Sequence, residues 1–453
     1  MTALFFAHAL LPDGWASDVR ISIARGLIAA VERDAGPAPG DVVAGIAVPG
    51  MPNVHSHAFQ RGMAGLSERR SSAADSFWSW REIMYSFLDR MTPEDVEAIS
   101  AQAFVEMLQG GFTRVGEFHY LHNAPDGGRY DDPAELSVRI VAASLAAGIR
   151  LSLIPCFYAH GDFAAMPPVP GQRRFLNHLD GFASLFGRAE TLLSGCDGAT
   201  LCLAPHSLRA VAVDQLGPLL ALAGHRPVHI HAAEQVREVE ACLAWSGQRP
   251  VEWLLDHMPV DQRWCLIHAT HMTGAESARL AATGAVIGLC PLTEASLGDG
   301  IFAGPVWRDA HGRFSVGTDS NIAIGVAEEL RQLESAQRLA TRQRNVMCGG
   351  LGASTGETLF RSALEGGARA LAAPPPELAP GAPADLVGLD ADAPCFASGD
   401  PSRFLDGWIF AGDRAAVRDV WVGGRRLVQE GRHRHADSVG RAYRRCVARL
   451  AAA

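Results

Sequence analysis

Ile46-Ala47-Val48-Pro49-Gly50-Met51-Pro52-Asn53-Val54-His55-Ser56-His57-Ala58-Phe59 is the stretch from which the fold reads. An apolar run broken by turn residues predicts a buried strand over Ala47–Val54. Side chains alternate along a strand, so His55 and His57 face the same way at its end. Two imidazoles on one face offer two neutral nitrogens to a divalent metal, although a lone His-x-His is weak evidence and reads more readily as two polar residues at a loop mouth. What recurs downstream decides between these.

Seven further short apolar segments alternate with longer helical patterns such as Pro93–Leu108 and Asp132–Ala147. The segments are Arg114–Phe118, Leu151–Pro155, Leu201–Pro205, Val228–His231, Trp264–His268, Val286–Cys290 and Phe314–Thr318. Strands alternating with helices mean βα units around a parallel sheet, and eight of them suggest a (β/α)8 barrel of TIM type, with a doubly wound open sheet as the competing arrangement. Nearly every segment runs out into His, Asp, Glu or Arg. Strand two leads to His119, Tyr120 and His122; strand four to His206 and Arg209; strand five to His231 and Glu234; strand six to His268 and His271; strand eight to Asp319. A barrel brings those ends to one mouth, where active sites sit.

Outside the barrel, Val19–Ile23 and Leu27–Val31 flank Arg25-Gly26, and Val420–Val422 leads through Gly423-Gly424 into Arg425–Val428: two hairpin signals. The chain ends are read as one composite β-sandwich-like domain, residues 1–48 with 377–453, interrupted by a barrel over 49–376. Ser438–Ala453 reads as a surface helix. Gln60–Met91 is either a lid or a dimer contact.

At 453 residues the chain suits one large domain and a smaller one. Its net charge of −9 argues against nucleic acid or an anionic membrane as partner. No apolar run reaches a membrane-spanning length and no basic leader opens the sequence, so a cytoplasmic enzyme is expected. The nine cysteines are dispersed, without Cys-x-x-Cys, and read as reduced structural thiols. The sequence contains no lysine: all 40 basic residues are arginine. A Schiff base, a P-loop lysine and a two-metal site bridged by a modified lysine are all excluded.

Five motifs point further. They are Pro52–Arg61, Asp75–Glu82 (Asp-Ser-Phe-Trp-Ser-Trp-Arg-Glu), Glu117-Phe118-His119-Tyr120, His206-Ser207-Leu208-Arg209-Ala210 and Gly317-Thr318-Asp319-Ser320. Through them, essentially the whole chain resembles the amidohydrolase superfamily, most closely its N-formimino-L-glutamate deiminases. The resemblance implies that His55, His57, His231 and Asp319 hold one divalent metal, zinc or ferrous iron, with a position left for water. It implies a homodimer that hydrolyses N-formimino-L-glutamate to N-formyl-L-glutamate and ammonia. Glu234 would carry protons to the leaving nitrogen, Asp319 would take the water proton, and His268 would orient the attacking oxygen. Arg209, Arg81, Tyr120, His206 and Gln60 match substrate-contacting positions; planar arginine forks suit a dicarboxylate.

A deaminase of guanine- or cytosine-like bases on the same metal site is the alternative, and an inactive scaffold a remoter one. Arg61 is expected to pair locally, His119 and His122 to be loop histidines off the metal, His229 to pack into the helix layer, and His271 to be structural. Trp245, Trp253 and Trp264 read as core. Glu294 and Asp299, after strand seven, read as solvated loop charges.

Overall fold

The computed structural model describes residues 2–70 and 75–452. Eight parallel positions close into a ring: Met51–Ser56, Phe112–His119, Arg150–Phe157, the broken strand Thr200–Leu201 with Ala204–Pro205, Val228–Ala232, Trp264–His268, Val286–Leu289 and Arg313–Val316. Ladders join neighbours in that order. Single bridges complete the ring: Leu203 to Val228 and Ser207 to His231 between the fourth and fifth strands, and Ser56 to Asp319 between the first and eighth. The ring is a (β/α)8 barrel, not an open sheet. Its strands are buried almost throughout, which is why they read as continuous apolar runs and not as alternating ones.

The expected strand Ala47–Val54 is in fact two. Val42–Pro49 belongs to a separate eight-stranded sheet, parallel to Thr2–Leu11 on one side and antiparallel to Leu386–Leu389 on the other. The chain passes into the barrel at Gly50, where any Cβ would run into the Thr113 side chain. The other strands of that sheet come from both chain ends, namely Gly14–Ala24, Leu27–Glu32, Val417–Val422, Arg425–Gln429 and Arg432–His433. Its hairpins turn as their sequences require: Arg25 and Gly26 have φ of 53° and 78°, and Gly423 and Gly424 have 55° and 72°. The sheet keeps a core of its own, with Leu4, Phe6, Val19, Ile21, Leu386 and Trp421 fully or nearly fully buried.

Helices surround the ring. Pro93–Gln109 opens with a reciprocal cap, Thr92 accepting from the Asp95 amide while the Asp95 carboxylate accepts from the Thr92 amide. After the first strand come a short 3-10 turn, Ala58–Met63, and the helix Phe77–Leu88. Of the stretch Gln60–Met91, residues 71–74 lie outside the described residues. A terminal helix spans Ala436–Ala452; Ala453, assigned to it from sequence, also lies outside them. Among the described residues no helix is long and apolar enough to cross a membrane.

The seam between the first and eighth strands is held by backbone and side chains together. The Asp319 and Thr318 amides both donate to the His55 carbonyl at 3.0 Å, and the His57 amide donates to the Asp319 carbonyl at 2.9 Å. Asn53 and Asn321 lock it from either side: Asn53 Nδ2 donates to Thr318 Oγ1 at 2.7 Å, and Asn321 Nδ2 donates to the carbonyls of Asp319 and His57. Gly317 permits the approach, since a Cβ there would stand 2.7 Å from the His55 carbonyl oxygen and 2.8 Å from its nitrogen. These are backbone atoms, which a side-chain adjustment cannot relieve. Gly317→Ala is therefore expected to lower stability by about 2 kcal/mol, read as a lower urea midpoint at unchanged slope.

Candidate active site

At the C-terminal mouth of the barrel the first, fifth and eighth strands bring three imidazoles and a carboxylate together. Ring nitrogens of His55, His57 and His231 lie within 4.8 Å of one another. Asp319 Oδ1 is 3.5 Å from His55 Nε2 and 3.4 Å from His57 Nε2. A carbonyl can only accept, so two tautomers are determined. His57 Nδ1 donates to Phe118 O at 2.9 Å and His231 Nδ1 to His206 O at 3.0 Å, leaving both Nε2 lone pairs facing inward. Burial favours neutral rings: it lowers His57 and His231, and with its neighbour His57 it takes His55 down to about 3. For Asp319, burial alone would raise the carboxyl. Its hydrogen bond with His55 and the surrounding histidines outweigh that and hold it below the usual range. Neutral nitrogens around an ionised carboxylate are the donor set a divalent cation takes, and the outward nitrogens of His57 and His231 are anchored on carbonyls as ligand histidines require.

Beside this cluster lies a charged one. His268 Nε2 stands 3.7 Å from Glu234 and 3.9 Å from Asp319, while its Nδ1 is 3.2 Å from Glu294. Burial opposes a charged ring, but Glu234, the bond to Glu294 and Asp319 together push His268 up to about 10. Burial takes Glu234 up to about 7 against the pull of His268 and Arg209. Arg209 is 3.8 Å from Glu234. Glu238 fixes the loop beneath, its carboxylate accepting from the amides of Ala233 and Glu234.

The expectation that Glu294 and Asp299 are solvated loop charges is wrong. Glu294 is 6% exposed, accepting from His268 and from the Cys290 amide, and Asp299 is 3% exposed and carries the Gln235 amide. Both follow the seventh strand, and the strand-end rule that picked the other residues, applied there, would have found them.

A cavity opens over both clusters. Every residue assigned to the site from sequence lines it except His55, which lies beneath. On one wall Gln60 Nε2 donates to Tyr120 Oη at 3.0 Å; His206, kept neutral chiefly by burial, touches Ser207. Arg81 stacks on Trp78 and Tyr85, 4.6 and 5.6 Å from the ring centres. The Nε atoms of Arg81 and Arg209 and the Oε1 of Gln60 are buried without a partner among the described residues. Tyr85, Tyr158 and Phe175, not assigned from sequence, complete the wall.

The remaining assignments separate cleanly. His229 Nε2 reaches the Ala370 carbonyl in the helix layer and His271 Nε2 the Asp299 carbonyl. His119 ends the second strand and His122 lies in the loop after it; both are buried, and neither joins the three-histidine cluster. Trp253 and Trp264 are buried and Trp245 is half-buried against Trp253. Arg61 pairs not locally but across the seam, with the carbonyls of Asn321 and Ile322 and with Glu106.

Backbone strain gathers at the same mouth. Ala233, His268, Ala269, Asp319 and Asn321 all have positive φ, between 41° and 67°, without being glycine. Such residues cost about 1–3 kcal/mol each and persist where the surroundings over-determine them.

Residues 46–427 match the family model described as "Amidohydrolase family", and residues 1–44 match "Formimidoylglutamate deiminase HutF, N-terminal domain". The formimidoylglutamate deiminase of Pseudomonas aeruginosa is 48% identical over 446 residues, covering 98% of each chain. Among solved structures, an amidohydrolase from Brucella melitensis superposes with a TM-score of 0.96 at 52% identity, over 99% of this chain and all of that one. An adenosine deaminase from Xanthomonas campestris, solved with bound zinc, shares the fold at a TM-score of 0.82 and 21% identity, covering all of this chain and 99% of that one. The chain belongs to the amidohydrolase family, whose chemistry is metal-dependent.

Proposed function

We infer that this member of the amidohydrolase family is a formimidoylglutamate deiminase, hydrolysing N-formimino-L-glutamate to N-formyl-L-glutamate and ammonia in histidine degradation. The observation that carries the substrate is the cavity itself: two guanidinium groups with unpartnered Nε atoms stand over a hydrolytic cluster. An acid with two carboxylates needs such a wall.

In this reading His55, His57, His231 and Asp319 hold one divalent cation, zinc by preference. Bound there, a cation would supply Lewis-acid activation, lowering the pKa of water towards neutrality. Without a lysine the chain has no bridge for a second tight ion of the family's two-metal type.

The remaining work falls to side chains. Arg209 and Arg81 take the carboxylates, with Tyr120, His206 and Gln60 orienting the substrate so that its formimino carbon lies over the cluster. Glu234 gives its proton to the imino nitrogen as water adds to that carbon, and Asp319 accepts a water proton. His268, charged between its carboxylates, stabilises the developing negative charge on the oxygen. Relayed back to Glu234, the first water proton goes to the same nitrogen, which leaves as ammonia. The hydroxyl proton released as the carbonyl forms then restores Glu234, so protons balance over the cycle. A carboxyl poised near 7 both gives and takes a proton at neutral pH.

Glu234→Gln is expected to lower kcat by about 1,000-fold with metal content unchanged at one equivalent per chain; wild-type turnover removes Glu234 from the mechanism. Arg209→Met is expected to lower kcat/KM for formiminoglutamate by about 100-fold, mostly through KM; an unchanged value discards its contact with a carboxylate.

A further inference from the structure

Asp299 is buried, lies next to the reacting groups and has no part in the scheme above. One carboxylate oxygen of Asp299, one of Glu234 and a ring nitrogen of His268 lie within 4.8 Å of one another. One Asp299 oxygen accepts from the neutral Gln235 amide, while Oδ2 is buried without a partner among the described residues. The groups that act on it are Glu234 at the end of strand five, His268 at the end of strand six, Glu294 after strand seven and Asp319 after strand eight. Of these only His268 can be positive. It already stands 3.2 Å from Glu294, 3.7 Å from Glu234 and 3.9 Å from Asp319. Arg209 serves Glu234 at 3.8 Å. With Asp319 turned to the cation in the reading above, Glu234, Glu294 and Asp299 share one imidazolium and one guanidinium among the described residues, which leaves one carboxyl with no cation of its own. Two buried carboxyls this close cannot both ionise without one.

The backbone holds Asp299 there deliberately. Its amide donates to the Glu294 carbonyl at 3.0 Å, and its carbonyl accepts from His271 Nε2 at 2.8 Å. Gly298 and Gly300 flank it at φ of 71° and 123°, conformations in which other residues strain. A residue set between two such turns against a buried carboxylate is placed, not tolerated.

We propose that Asp299 is a positioning residue for Glu234: it stays protonated and donates a hydrogen bond to the Glu234 carboxylate, orienting it towards the substrate nitrogen. The proposal rests on the reading of Glu234 as proton carrier. Burial beside Glu234 takes the Asp299 carboxyl up to about 9, so at neutral pH the proton stays. The group needed at this position is then a donor and not a charge, and asparagine should supply it.

The test uses the metal-loaded enzyme with Asp299→Asn and Asp299→Leu. Asparagine is expected to keep kcat within about threefold of wild type, with a superimposable kcat–pH profile from pH 6 to 8. Leucine is expected to lower kcat by about 100-fold at unchanged KM and metal content. Infrared difference spectra of wild type against Asp299→Asn at pH 7 should show a protonated-carboxyl stretch that the variant lacks. An Asn variant as impaired as Leu, a Leu variant at wild-type kcat, or no such band each overturns the proposal. If Leu fails to fold, the Asn kinetics and the band still decide it. The spectrum needs no substrate, so an error in the assigned reaction, which would show as an inactive wild type, is distinguishable from an error about Asp299.

Discussion

The structure depends on one seam, where the last strand of the barrel meets the first. Asp319 is tied by its amide to the His55 carbonyl and by its carbonyl to the His57 amide, so the backbone that closes the ring is the backbone that sets three donor groups. Gly317 allows the approach, and Asn53 and Asn321 brace it from both sides. More than 260 residues separate His57 from Asp319 along the chain. Loop closure over that length is entropically costly, and the cost is met once by the whole fold instead of by the site. The strained φ values at His268 and Asp319 are held the same way, by a ring that has already closed.

Within the mouth, electrostatics divide the site in two. On one side buried imidazoles are kept neutral, the outer nitrogens of His57 and His231 engaged by carbonyls, with one ionised carboxylate among them. On the other side His268 is kept charged by three carboxylates and Glu234 is lifted towards neutrality. The same burial acts on both. What differs is which neighbours each group has, and this separates donors suited to a cation from groups suited to moving protons. Of the arginines above, Arg209 also stands 3.8 Å from Glu234, while Arg81 stacks on Trp78 and Tyr85.

Much of this is legible in the sequence because a barrel converts order into geometry. Polar residues at successive strand ends meet by topology, so His55, His57, His231, His268 and Asp319 could be named without knowing a distance. The boundary near residue 50 was less legible, since Ala47–Val54 is one apolar run whose division depends on which sheet pairs with each half. Glu294 and Asp299 escaped because acidic residues in a loop are normally solvated, and only the fold of the segment after strand seven buries them. Tyr85, Tyr158 and Phe175 escaped for a related reason. An aromatic in a helix or loop carries no mark of facing a cavity instead of a core.

The central claim is that one cavity combines a hydrolytic cluster with an acid-reading wall. Initial rates of ammonia release test it most directly, with N-formimino-L-glutamate, its γ-amide, guanine and cytosine compared on one metal-loaded preparation. The account predicts rapid release from formiminoglutamate, a kcat/KM lower by about 100-fold for the amide, which loses one charged contact, and none from the bases. Equal rates for acid and amide, or release from a base at the rate of the acid, would contradict it.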